Sequence, residues 1–372
     1  MLQQPTEQQV QLGDALQRLL QRDYAFERRR HEAGGAAFDA RRWQRLCELG
    51  LPALLVPECH GGLQAPVADA LFALQVLAPA CVAEPVLGSC VLATFMLRHA
   101  GGEPARQWLP RLAGGAIGSV AVFEPDAGFE HARPCCRARL EHGHWVLDGA
   151  KALVLQAKEA ELLLVSARCD DAGCAWFAVP AATPGIACRA HALLDARDAA
   201  ELRLCEVRVP ASARLPGDGA ALADVLRDLW LAAVCAEAVG LLQASLDATV
   251  AYLNTRQQFG QPLARLQALQ HRSAELWIEL EQARSMAWLA AQRFEHEPAA
   301  RRGMLLAATK ARVGRACREI SQQSVQLHGG IGLSDELQLS HWFKSLSLAQ
   351  LWLGDSGHHL QRYADASLRA LP

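Results

Sequence analysis

Two short segments carry residue types that helix packing alone does not require. The first is "YLNTRQQFGQPLARLQALQH", Tyr252 to His271. Arg256 ends an apolar-periodic stretch there, and Phe259, Gly260 and Pro262 make a turn. A guanidinium presents a planar fork of donors that matches phosphate oxygens, and Gly260 permits a close backbone approach. Such a corner can face an anion, although a capped turn whose Arg complements the helix dipole reads the same way. The second segment is "QLHGGIG", Gln326 to Gly332. Tandem Gly329 and Gly330 can end a helix, expose backbone N–H groups and leave room for a flat or phosphorylated ligand, or serve as a plain C-cap. A third feature is Glu237, a polar insertion in the apolar stripe "AAVCAEAVGLL". Burial raises a carboxyl pKa toward that of a useful base, and a structural hydrogen-bonded Glu is the alternative.

The bulk composition excludes several function classes. A formal net charge of -2 cannot supply the basic surface that phosphate neutralisation on a nucleic acid needs, except locally. One local cluster, Arg28, Arg29, Arg30 and His31, reads as a solvated helix end. None of the twelve cysteines sits in a Cys-x-x-Cys spacing, so neither a disulfide framework nor a metal site is indicated. The polar start, Met1 to Val10, lacks a secretory pattern, and a cytoplasmic location is expected. Pro79, Glu84 and Pro85 interrupt the most apolar stretch, Leu71 to Leu97, which reads as buried helices joined by a turn and not as a membrane span.

The elements that must position these residues fall into three regions, 1–115, 116–215 and 216–372. Apolar residues recur at helical intervals from about Thr6 to His31 and again from Ala40 to Leu49, before Gly50, with more helices from roughly Val67 to Leu112. From Val120 to Leu215 short β-branched and apolar runs alternate with Gly, Pro and Asp turns, predicting a compact antiparallel unit of about six to eight strands, a sandwich or barrel. The helical period returns in Asp224–Arg256, Leu263–Glu295 and Ala299–Leu327, lengths that suit a bundle. The fold class is therefore multidomain α+β. No strand is followed by Gly-x-Gly-x-x-Gly, so a dinucleotide-binding α/β fold has no support.

"YLNTRQQFGQPL", "LQALQH" and "QQSVQLHGGIG" in that order, with "LGLPALLVPECHGG" and "VFEPDAG" earlier, resemble the acyl-CoA dehydrogenase family. The resemblance covers nearly the whole chain. It implies a helical N-terminal domain, a middle β domain and a C-terminal four-helix bundle, in an oligomer with FAD at the subunit interface. It implies α,β-dehydrogenation of an acyl-CoA thioester to the 2-enoyl-CoA, with electrons passing to an electron-transferring flavoprotein. Carried over residue by residue, Arg256 and Phe259 contact the FAD of a neighbouring subunit, and Gln326, Gly329 and Gly330 approach its adenosine diphosphate half.

The chain departs from the family pattern at chemically important places. The flavin-lining Trp and Thr or Ser of the β domain correspond to Leu153 and Leu155, and the Gly-Ser-Asp of the earlier loop reads Gly128, Phe129, Glu130. The usual catalytic Glu falls on Leu353 in "LWLGDSGHH", and the alternative base position falls on Trp230. Asp355, beside the first, and Glu237, seven residues beyond the second on one helical face, are the candidate bases for the α proton. "AEAVG", "QALQHR", "ELEQARSMA" and "GDSGHHL" resemble small subunits of pimeloyl-CoA dehydrogenase-like bacterial enzymes. Two functions remain open: a flavoenzyme oxidising an acyl-CoA, or a non-catalytic, cofactor-sharing subunit of a heteromeric dehydrogenase.

Overall fold

The computed structural model describes residues 4–27, 38–125, 127–128, 133–169 and 173–369. The Arg28–His31 cluster and the pair Phe129 and Glu130 lie outside the described residues. Helix α1 (Glu7–Asp23) starts at a capping box in which Thr6 Oγ1 accepts from the Gln9 amide and Gln9 Oε1 accepts from the Thr6 amide, satisfying two orphan donors. It ends at Asp23 with the buried Tyr24 as C-cap; helical geometry returns at Phe26 and Glu27, and the expected continuation to His31 lies outside the described residues. Helix α2 (Ala40–Glu48) is capped by Asp39, which accepts from the amides of Arg41 and Arg42.

The apolar stretch after it divides as expected. Helix α3 (Val67–Leu77) and a short 3-10 turn end at Cys81, and a buried π-helical run, Val86–Ala93, leads into α4 (Thr94–Ala100) and then α5 (Gly102–Ala113).

The middle region forms a seven-stranded sheet from β1 (Gly118–Ala121), β2 (Arg137–Glu141), β3 (His144–Leu155), β4 (Leu162–Cys169), β5 (Gly173–Pro180), β6 (Ile186–Ala192) and β7 (Asp198–Pro210). The strand count matches expectation, but the wholly antiparallel pairing does not. β1 runs parallel to β4 over Gly118↔Leu162 to Ala121↔Val165, and β2 meets β4 in parallel at Arg137↔Arg168. Parallel neighbours need a long crossover, here containing the β2–β3 hairpin, and local turn signals cannot reveal which strands such a crossover joins. The other pairings, β2–β3, β3–β7, β4–β5 and β6–β7, are antiparallel.

Helix α6 (Gly219–Thr255) is followed by the two-strand hairpin β8 (Gln257–Gln258) and β9 (Gln261–Pro262). Helices α7 (Gln267–Arg293), α8 (Ala299–His328), α9 (Gln338–Leu351) and α10 (Ser356–Arg369) complete the chain. By length and composition α6 can cross a membrane, yet 83% of its apolar window is buried inside the protein, as in the core helix of a bundle.

The chain packs as two compact units. One holds α1, α3 and everything from Leu231 onward; the other holds α2 and the segment from Ala83 to Trp230. Within the helical unit, Gln9 donates to Asp69 at 2.8 Å, and the side chains of Gln338 and Trp342 both donate to the Pro79 carbonyl, tying α1 and α9 to the α3 segment.

The sheet unit is organised by a buried ion pair. Lys151 of β3, 1% exposed, donates to Glu124 at 2.7 Å and to Ser166 Oγ of β4 at 2.9 Å. Glu124 also accepts from the amides of Cys135 and Cys136 at 2.6 and 3.0 Å, so one carboxylate pins the return of the chain toward β2. Burial alone would raise the Glu124 carboxyl, but the Lys151 charge and these N–H donors together hold it below its ordinary value. Lys151→Met therefore leaves a buried carboxylate unpaired and is expected to cost about 3–5 kcal/mol in urea unfolding, with much of that loss recovered in the Lys151→Met, Glu124→Gln double variant.

Candidate functional site

One end of the helical unit collects the residues singled out for anion binding. Beyond the last turn of α6, Arg256 is exposed, and the Leu263 amide donates to its carbonyl at 2.9 Å to close the β8–β9 hairpin. The hairpin's two central residues, Phe259 and Gly260, both have positive φ, 54° and 75°, the conformation of a tight two-residue turn. Phe259 is 86% exposed. An aromatic ring held in that turn and turned out to solvent contributes nothing to the core.

Helix α8 ends at His328, and Gly329 turns the chain with φ 68°, a left-handed value that disfavours any side chain. Gln326, Gly329 and Gly330 are exposed, and a Cβ on either glycine would meet open space. The two segments are joined by a ring stack: Tyr252, near the end of α6, and His328, at the end of α8, lie 4.4 Å apart between centroids with 22° between their planes. Burial lowers the His328 pKa, and its Nδ1–H donates to the Ser324 carbonyl at 2.8 Å. The stack brings Arg256, Phe259, Gln326, Gly329 and Gly330 to the same end of the helices. Exposed guanidinium donors, an exposed aromatic face and an open glycine turn fit a flat, phosphate-bearing group such as FAD arriving from outside the chain.

The sheet unit offers a less suitable lining. Leu153 lies where the β3–β7 register shifts, with φ 51° and 37% exposure, and Leu155 is buried. Neither carries the hydroxyl or indole of the family pattern. A cleft of ≈890 Å³ lies over β3, β6 and β7, walled by Asp148, Lys151, Arg189, Glu201 and Arg203.

The two candidate bases have different surroundings. Glu237 is the one residue between Leu231 and Leu242 that is not fully buried, so its carboxyl lies at the margin of the α6 core. Asp355 is exposed and caps α10, accepting from the His358 amide at 2.8 Å; that bond, with the nearby Gly357 amide and the His358 and Lys310 charges, holds its carboxyl below the ordinary value. Trp230 is buried edge-on against Phe123 at 5.1 Å, and Leu353 is 3% exposed.

Two buried groups that sequence reasoning missed shape the turn at Leu353. Lys310 of α8, 1% exposed, donates from Nζ to the carbonyls of Gln350 at 2.9 Å and Gly354 at 2.8 Å; burial lowers its pKa. His359, fully buried, donates from Nε2 to the Leu353 carbonyl at 3.0 Å. Between them the backbone holds Leu353 at φ 59° and Gly354 at φ 109°. The only signal in the sequence is a lone Lys in the apolar period of "LLAATKARVG", which a solvated helix face would also produce. Among the described residues no group of three or more His, Cys, Asp or Glu is placed to hold a metal ion.

Burial, with the charges of Lys310 and Arg362, pushes the His359 pKa down to about 3. An unfolded imidazole titrates near ~6.5, so between those values the unfolded chain binds a proton that the folded chain does not. This contribution is complete above about pH 6.5 and is lost as the pH falls toward 3. Between pH 7 and 5 it amounts to about 2 kcal/mol. Urea midpoints should show that loss in the wild type and a correspondingly flatter acid limb in His359→Leu.

Three comparisons with known proteins bear on this arrangement. Residues 6–116, 119–208 and 231–368 match the family models described as acyl-CoA dehydrogenase N-terminal, middle and C-terminal domains. The chain is 29% identical over 347 residues to the mitochondrial short-chain specific acyl-CoA dehydrogenase of Mus musculus, covering 88% of this chain and 84% of that protein. It is 30% identical over 318 residues to the "Probable acyl-CoA dehydrogenase fadE25" of Mycobacterium tuberculosis, covering 82% and 81%. Among solved structures, the ChsE4-ChsE5 complex from Mycobacterium tuberculosis superposes with a TM-score of 0.89 at 26% identity over 99% of both chains. The chain belongs to the acyl-CoA dehydrogenase family, FAD-dependent oxidoreductases that act on the CH–CH bond of acyl-CoA thioesters.

Proposed function

We propose that this chain works in a hetero-oligomeric acyl-CoA dehydrogenase, sharing an FAD with a second dehydrogenase-type subunit that supplies the catalytic base. The observation that carries this reading is a contrast. The corner formed by Arg256, Phe259, Gln326, Gly329 and Gly330 is open, whereas both positions corresponding to a family base hold buried apolar side chains, Trp230 and Leu353. Bound FAD supplies the hydride acceptor of the reaction. Arg256 offers its donor fork to phosphate oxygens, Phe259 offers a face for a flat ring, and Gly329 and Gly330 allow a close approach along their backbone. The similarity to a chain of the ChsE4-ChsE5 complex supports the same division of labour. An electron-transferring flavoprotein is the acceptor in this reading, and twelve free thiols support a cytoplasmic setting.

A second reading, in which the chain turns over an acyl-CoA by itself, is favoured by the placement of Glu237. That residue is partly exposed within an otherwise buried run, as a group that exchanges a proton must be.

Colour separates the two. The chain expressed alone should be colourless and silent toward acyl-CoA; co-expressed with a second dehydrogenase-type chain, it should co-purify as a yellow complex that bleaches with acyl-CoA. Arg256→Ala should weaken FAD binding in that complex about tenfold, the loss of a charged hydrogen bond. A chain that is yellow alone, bleaches with acyl-CoA and loses turnover in Glu237→Gln would overturn the shared-cofactor reading in favour of the second.

A further inference from the structure

Two segments separated by more than one complete helix must be held in register for the open corner to act as a unit. Tyr252 is linked to the first segment through its backbone, because its carbonyl accepts the Arg256 amide at 2.8 Å, and Arg256 leads directly into the Phe259 hairpin. His328 is linked to the second, because it immediately precedes Gly329 and the following turn folds back on it. A Cβ on Gly332 would lie 3.1 Å from His328 Cβ and 2.9 Å from the Val325 carbonyl oxygen, so only glycine permits that return. The imidazole is 6% exposed and its azimuth is set by the bond from Nδ1 to the Ser324 carbonyl. The Tyr252 ring lies against it at 4.4 Å and 22°.

We infer that Tyr252 and His328 are a positioning pair, whose flat ring contact holds the Arg256–Phe259 hairpin in register with the Gly329–Gly330 turn so that both meet one ligand. The inference rests on the reading that this corner faces FAD. A branched aliphatic side chain at either place would fill the same volume, but it would not restrict sliding and rotation as two near-parallel rings do. The pair touches neither substrate nor cofactor in this role; it acts through the residues that follow each ring.

The test uses His328→Ala, which removes the ring, and His328→Phe, which keeps a flat ring while losing the bond to Ser324. Hydrogen exchange on the full chain should quicken roughly fivefold in both the 257–262 hairpin and the 329–333 turn for His328→Ala, and stay near wild type at the middle of α8. In the FAD-bearing assembly the FAD dissociation constant should rise by roughly the same factor, and His328→Phe should restore both readouts. Unchanged exchange in either segment overturns the coupling. Quickened exchange with an unchanged FAD dissociation constant overturns the assignment to the cofactor while leaving the shared-flavin reading intact. A wild-type chain that holds no FAD in any assembly overturns that reading, and this inference with it.

Discussion

A buried ammonium has to find its partners inside the protein, and each compact unit of this chain is arranged around one. In the sheet unit Lys151 meets a full countercharge, Glu124, and a hydroxyl, Ser166, so that β1's exit, β3, β4 and the approach to β2 converge on a single point. In the helical unit Lys310 meets only backbone carbonyls, those of Gln350 and Gly354 at the end of α9 and in the turn beyond it. That choice has a structural consequence. The negative end of the α9 dipole and the carbonyl of a strained turn are satisfied together.

The turn is costly in other respects. A leucine in the left-handed region and a lysine ammonium withdrawn from water both oppose stability. Backbone strain of this kind persists only where the surroundings over-determine it, and here Lys310 and His359 do so through carbonyl groups alone. The turn thus holds a buried Leu353, while Arg256, Phe259 and the glycines after α8 stay exposed at the ends of α6 and α8.

Much of this was legible in the residues. The helical period through α6 and the glycines after α8 are local signals, and local signals survive in one dimension because helical hydrogen-bond partners lie within four residues. Arg256, Phe259, Gln326, Gly329 and Gly330 were singled out through the family resemblance, and the structure leaves them exposed. Other features were not legible. Nothing near β1 announces that its neighbour is β4, since a parallel pair is separated by an entire hairpin. Lys310 and Lys151 read as ordinary cations, because a solvated lysine and a buried one leave the same letter in the sequence.

The sequence by itself determined the kinds of elements, their order and the chemical types gathered in two glycine-bearing segments, because periodicity and turn chemistry act over a few residues. Tertiary structure alone decided that Asp355 is committed to capping a helix, and which rings meet across the bundle, as Tyr252 and His328 do. Those outcomes depend on burial and on contacts between residues far apart in the chain. Burial and distance are properties of the packed molecule, and no single segment contains them.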